Sequence, residues 1–393
     1  MASELTAGIG APRAILTLGT TQTIGYACSA YLPAVLAEPM ARAVGAPTSL
    51  VFLAFSGAML LQAFIGPAIG RRVDLRGGRG LLAAASLIFA AGLAGLGLSQ
   101  SPLHLVLAWG VMGLGMALGL YDVAFAGLVG WFGQDARRSI TGVTLIAGFA
   151  STIGWPLTAW LNETVGWRGA CFAWAGANLL LALPLHLTLP SGVVFHMPHP
   201  AGEGPAPLVS GRARLNLVLI AAAFALMAAV SAAMSAHLPP LLKAVGASPA
   251  AAVAAAALVG PAQVAARLAE FVLVRRIHPL ISGRIAVLFF PLGAVILLAF
   301  GPGAAAVFAI LYGAGNGLYT IVRGALPLAL FGAGGYGARL GVINIPGRLV
   351  QAASPFVFSL LLERSAGLAV GVFGGLSLLA VAAMLLLRRP PET

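Results

Sequence analysis

The sequence predicts an all-α membrane protein: twelve transmembrane helices in two pseudo-symmetric six-helix bundles. Three observations predict it. Of 393 residues, 60% are hydrophobic and 8% charged, and the mean hydropathy is +0.99, values no soluble domain carries without precipitating. Apolar runs of about 20 residues recur along the whole chain between short Arg- or Gly/Pro-containing breaks, a spacing that fits twelve membrane crossings. The chain also repeats itself. Residues 119–156 open on Gly119-Leu120-Tyr121, place Phe132 before a Gly-rich turn, resume at Gly142-Val143 and close on Pro156; residues 317–355 do the same with Gly317-Leu318-Tyr319, Phe331, Gly341-Val342 and Pro355. Self-similarity at half the chain length signals a duplicated membrane protein.

The formal net charge of +12 is not gathered into a soluble basic patch of the kind that binds nucleic acid. The arginines fall in alternate loops, with Arg71, Arg72, Arg137, Arg138, Arg212, Arg214 and their like on one side and only Arg42, Arg168, Lys243 and Arg364 on the other. The positive-inside rule then places both termini in the cytoplasm of a cell with a bacterial-type inner membrane. The opening MASELTAGIGAPR carries an acid and no basic n-region, so the first apolar run is expected to be a retained helix. Cys28 and Cys171 both lie inside apolar runs, which excludes a disulfide framework or a cysteine metal site. No HExxH, paired-His or GxSxG box is present, so no enzyme and no cofactor is expected.

Taken in order, the first run, residues 14–36, carries Gln22, Tyr26 and Ser29 at i, i+4, i+7, one polar stripe suited to lining a cavity. Residues 48–70 lead into GRRVDLRGGRG, whose glycines permit close backbone approach and whose Asp74 is placed to cap a helix end or pair with arginine. Residues 81–98 are nearly featureless. Residues 103–132 hold Tyr121 and Asp122; a carboxylate there costs about 2.5 to 3.5 kcal/mol on insertion scales and faces a cavity or a partner. Residues 139–161 offer Thr144, Gly148 and Ser151 on one face, and the turn Gly166-Trp167-Arg168 opens the sixth run, which ends near 187. The Pro-, Gly- and His-rich residues 188–216 read as a cytoplasmic linker, with His196, Met197 and His199 as solvated residues.

The second half, residues 217–393, echoes the first, residues 1–187. Tyr31-Leu32-Pro33 matches His237-Leu238-Pro239, Arg71-Arg72 matches Arg275-Arg276, and Gly78-Arg79 matches Gly283-Arg284. The halves are therefore parallel repeats. They differ in charge: Asp122 stands opposite Thr320, Phe125 opposite Arg323 and Phe149 opposite Arg348. In the second half Arg267 and Glu270 share a face at i, i+3, Asn316, Tyr319 and Arg323 follow at i, i+3, i+7, and Asn344, Arg348 and Gln351 at i, i+4, i+7. Three embedded arginines against Asp122 and Glu270 leave one central cavity net positive. Planar guanidinium forks match a carboxylate, so a small organic anion is the expected cargo. Snorkelling to the interface is the competing reading for Arg267 and Arg323, and a gating ion pair is the competing one for Asp122 and Glu270.

Gly70, Asp74, Gly77 and Arg79 resemble the loop 2–3 signature of the major facilitator superfamily, from which this copy departs at Leu75 and Gly78. The resemblance implies the major facilitator fold and a gating role for that loop. Trp131-Phe132 with Arg137-Arg138, Gly142 and Gly148, together with Gly166-Trp167-Arg168, is similar to the monocarboxylate and oxalate–formate branch. That branch implies a carboxylate-binding arginine at Arg267; its acidic start to the first helix is replaced here by Thr23, Ile24, Gly25 and Tyr26. The resulting expectation is a monomeric secondary transporter of a monocarboxylate-like anion, a symporter working by alternating access. Arg348, Arg267 and Arg323 bind the anion, supported by Gln351, Asn316, Tyr319, Gln22, Tyr26 and Tyr121, while Asp122, Glu270 or His237 takes the proton. An exporter of apolar metabolites or drugs is the alternative. A third reading, copper transport, uses Met227, Met234 and His237 on one helix face.

Overall fold

A computed structural model describes residues 10–192, 211–273 and 277–388. The linker histidines His196 and His199, Met197, Arg275, Arg276 and Arg389 lie outside the described residues. The described chain is helical and falls into two compact units, Met1–Ala206 with Ala333–Val342, and Pro207–Gly332 with Ile343–Thr393.

The first unit contains α1 (Ala11–Ala27), α2 (Pro33–Ala43), α3 (Thr48–Arg76), α4 (Arg79–Gly97), α5 (Pro102–Gly119), α6 (Tyr121–Phe132), α7 (Ala136–Ala147), α8 (Ala150–Ala177) and α9 (Leu183–Leu187). The second contains α10 (Gly211–Ala244), α11 (Pro249–Ala257), α12 (Val259–Leu273), α13 (Pro279–Phe300), α14 (Ala305–Phe331), most of α15 (Tyr336–Arg364) and α16 (Ala366–Leu386). Eight stretches are long and apolar enough to cross a membrane. The stretch Pro102–Leu187 is divided by reversals of the chain at Gly133 and Gly166, and Pro279–Phe331 by one at Gly301; each glycine has positive φ, a conformation that costs a residue with a Cβ. With the interrupted pair α1 and α2, the crossings number the expected twelve.

Each unit builds its core the same way. In the first, α5 packs between α3 and α4, and α4 also meets α8; in the second, α14 packs between α12 and α13, and α13 also meets α16. Close approach rests on small residues, since lipid offers no hydrophobic drive to bring helices together. A Cβ on Gly113 would fall 2.7 Å from Ala58 Cα, and one on Gly313 would fall 2.6 Å from the Val259 carbonyl oxygen. Trp109 and Trp131 are fully buried in the first unit, Phe308, Phe358 and Phe373 in the second.

Several helices expected to be continuous are broken. The first run stops at Ala27 and restarts at Pro33, and the fourth is interrupted at Leu120, whose φ of −90° and ψ of −172° are extended. The fifth breaks at Gly148-Phe149 and the eighth at Leu258. In the second copy of the repeat, Gly317-Leu318-Tyr319 lies inside unbroken α14. The shared tripeptide thus adopts two conformations.

Candidate functional site

In the second unit the polar residues gather between α10, α12 and α14. Arg267, on α12, is only 5% exposed. Its Nη2 donates to Gln263 Oε1, one turn back on the same helix, at 3.2 Å, and to Thr320 Oγ1 on α14 at 3.5 Å. Its Nε and Nη1 are buried without a hydrogen-bond partner among the described residues. Both acceptors are neutral side-chain oxygens, and most of the fork is unused among the described residues. An unpaired buried charge is costly, and a group in that condition is suited to a mobile anion. Neither Gln263 nor Thr320 is a site residue on sequence grounds, Thr320 standing there only as the repeat counterpart of Asp122. Gln263 was legible as the i−4 neighbour of Arg267, whereas Thr320 depends on a contact between helices.

Around that arginine, Asn316 Oδ1 accepts from Ser231 Oγ on α10 at 2.8 Å, and the Tyr319 hydroxyl donates to the Phe224 carbonyl at 2.9 Å. Thr320 Oγ1 in turn donates to the Asn316 carbonyl at 2.9 Å. Arg323 lies one turn beyond Thr320 and is half-buried, as are Arg348 and Gln351 on α15. Glu270 is 5% exposed, and its Oε2 accepts from Ser282 Oγ of α13 at 2.8 Å. His237 directs Nε2 to the Pro355 carbonyl at 3.0 Å and stacks on Phe358. Met227 and Met234 are buried within the apolar core, and among the described residues no group of three or more His, Cys, Asp or Glu side chains could hold a metal.

In the first unit the polar stripe of α1 meets the break in the fourth crossing. Gln22 is fully buried and its Nε2 donates to the Gly119 carbonyl at 2.6 Å. Tyr26 lies against Tyr121 with ring centroids 4.7 Å apart, and Tyr121 stacks on Phe125 at 4.9 Å. Asp122, half-buried, falls in the first turn of α6. That position lies among the N–H groups a helix start leaves without intrahelical acceptors. The same unit holds a buried pair the sequence reading passed over, Ser86 Oγ and His186 Nδ1, 2.9 Å apart.

The loop after α3 is fixed by its glycines and its carboxylate. Asp74 accepts from the backbone N–H of Gly337 at 2.8 Å and of Ala338 at 2.9 Å, bonds that cap the start of α15. Buried Arg339 lies close enough to the same carboxylate to feel its charge. Gly70 presses on the Gly337 carbonyl and Gly77 on the Gly192 carbonyl, leaving no room for a side chain at either. Arg79 is half-buried at the first position of α4.

Comparison with known proteins places this geometry. Residues 18–355 match the family model described as Major Facilitator Superfamily. The fold is similar to that of the human organic anion transporter MFSD10 (TETRAN), with a TM-score of 0.71 at 16% identity over 96% of this chain and 100% of that one. It is also similar to that of the transporter FucP in its outward conformation, with a TM-score of 0.73 at 15% identity over 96% and 99%. An uncharacterized 38 kDa protein in the 23S RNA operon of Thermoproteus tenax is 34% identical over 153 residues, 39% of this chain and 40% of that protein. Multidrug resistance protein MdtH of Aeromonas salmonicida is 30% identical over 178 residues, 45% of this chain and 44% of that protein. The matched stretch therefore spans less than half the length of these curated relatives. With the family match running over most of its length, the chain belongs to the Major Facilitator Superfamily, and it shares the fold of solved members of that superfamily and is a multi-pass membrane protein.

Proposed function

We propose that the protein is a secondary active transporter of a small, monocarboxylate-like organic anion, coupled to protons and working by alternating access as a monomer. It sits in the inner membrane with both termini cytoplasmic. The observation that carries this reading is Arg267: among the described residues a buried guanidinium held by the neutral Gln263 and Thr320 alone, with Nε and Nη1 unused. A carboxylate satisfies such a fork with two charge-assisted bonds. Arg323 and Arg348 add positive charge, with Asn316, Tyr319 and Gln351 supplying polar contacts, and the resemblance to the monocarboxylate and oxalate–formate branch assigns Arg267 the same role. Asp122 and Glu270 are the carboxylates available for the proton; the loop of Gly70, Asp74, Gly77 and Arg79 serves gating. The test is uptake of labelled mono- and dicarboxylates into proteoliposomes with and without an inward proton gradient. Uptake unaffected by Arg348→Ala and Arg267→Ala would remove the binding role, and uptake indifferent to the gradient would remove proton coupling.

A second reading, export of an apolar compound or drug, has the support of the relative described as a multidrug resistance protein. It predicts transport of uncharged compounds that survives Arg267→Ala.

A further inference from the structure

The broken fourth crossing carries an inference about Gln22, which the sequence reading had placed among substrate contacts. In a continuous helix the Gly119 carbonyl would accept the N–H of Val123. Here Val123 N–H turns to the Leu120 carbonyl at 3.2 Å, and Ala124 N–H to the same oxygen at 3.4 Å. The Gly119 carbonyl is left without a helical donor in a buried position, where an unsatisfied acceptor is disfavoured. Gln22 Nε2 supplies the missing donor at 2.6 Å from a side chain with no exposed surface. Tyr26, one turn along α1, holds Tyr121 on the far side of the break.

The duplicated half provides an internal control. Gly317-Leu318-Tyr319 stays helical, and the match of Tyr31-Leu32-Pro33 with His237-Leu238-Pro239 puts Ala228 where the first half has Gln22. Alanine has no donor to offer the carbonyl of Gly317. The copy with the amide is broken and the copy without it is not.

We propose that Gln22 is a positioning residue: by capping the Gly119 carbonyl it holds the helix open at Leu120 and so keeps Asp122 in the first turn of α6, where it serves coupling. Without the cap the lowest-cost remedy for the buried carbonyl is the ordinary bond from Val123 N–H, which closes the helix and moves Asp122 from a helix start to a helix interior. The coupling part rests on the role proposed above for Asp122; the structural part does not.

Two readouts separate these parts. Hydrogen exchange of the amides of residues 121–124 in the purified full-length protein needs no substrate. Gln22→Met, close in volume and lacking the donor, is expected to slow their exchange at least tenfold. Unchanged exchange would overturn the proposal. In proteoliposomes, gradient-driven uptake of labelled lactate is expected to fall about tenfold in Gln22→Met, and the double variant with Asp122→Asn to be no slower than Asp122→Asn alone, as residues acting through one another are not additive. Multiplying losses would refute action through Asp122. Gln22→Glu, which keeps the donor only when protonated, is expected to retain wild-type uptake at acid pH and lose it relative to wild type as pH rises; loss at every pH would count against the cap. Absence of lactate uptake by the wild type would instead strike the anion reading and leave the exchange result to decide the structural one.

Discussion

Replacing Arg267 by methionine should separate function from stability in opposite directions. The side chain is 5% exposed, and among the described residues its bonds run from Nη2 to neutral oxygens at 3.2 and 3.5 Å while Nε and Nη1 have no partner. The guanidinium is therefore a buried cation whose hydrogen-bond partners among the described residues are neutral. Its replacement by an apolar side chain of similar length is expected to be neutral or to stabilise by about 1 to 4 kcal/mol, minus roughly 1 to 3 kcal/mol if Gln263 is left without its donor. Thermal unfolding in detergent should then show a midpoint unchanged or raised. Transport should respond the other way, because truncating one member of a buried charge pair costs about 2 to 5 kcal/mol, or roughly 30-fold to several thousand-fold in affinity. Saturating carboxylate should raise the wild-type midpoint, by about 2.7 kcal/mol of stability at a hundred times Kd, and leave that of Arg267→Met unmoved. Arg267→Lys keeps the charge without the planar fork and should recover little of the binding. A variant that unfolds several degrees earlier and still shows the carboxylate-dependent shift would refute the reasoning, since the arginine would then be structural.

Other outcomes follow from contacts already described. Asp74→Ala removes the acceptor for two backbone N–H groups at the start of α15; a loss of about 0.5 to 2 kcal/mol should appear in thermal unfolding, together with faster exchange of the amides of Gly337 and Ala338. Gly70→Ala drives a methyl into the Gly337 carbonyl and should lower stability by about 1 to 3 kcal/mol through overpacking, measured in the same way. Arg284 donates to the carbonyls of Met384, Leu385 and Leu387, so Arg284→Lys, with a single ammonium for three acceptors, should increase hydrogen exchange and proteolysis at the end of α16. Ser282→Ala deletes a donor to buried Glu270 and should cost about 1 to 3 kcal/mol, seen as a lower unfolding midpoint.

The architecture was legible because it depends on hydropathy and repetition, quantities averaged over twenty residues or more. The turns at Gly166 and around Gly133 were also legible, since backbone reversal there calls for glycine. The interruption at Leu120 was not: its cause is an amide from another helix, Gln22, and Gly119-Leu120-Tyr121 is indistinguishable locally from Gly317-Leu318-Tyr319. The arginines of the second half were found as embedded charges, but sequence depth alone left snorkelling open for Arg267. What places it inside is the contact with Thr320, set by the packing of α12 against α14. Arg284 was seen as an echo of Arg79 and topological charge; its service to α16 escaped notice because its acceptors are backbone carbonyls, which every sequence has.

The Asp74 contact has a consequence for mutational scanning. The two hydrogen bonds run to peptide groups, so the identities of Gly337 and Ala338 carry no chemical signature of them. A side chain at Gly337 would bring its Cβ within 2.6 Å of the Gly70 carbonyl oxygen and 2.9 Å of Asp74 Oδ1, so a substitution there tests steric fit and the hydrogen bond together. A scan of Gly337 and Ala338 alone would score the contact as steric and miss the charge, which shows on that segment through Arg339. The hydrogen bonds themselves have a side-chain identity on one side only, at residue 74.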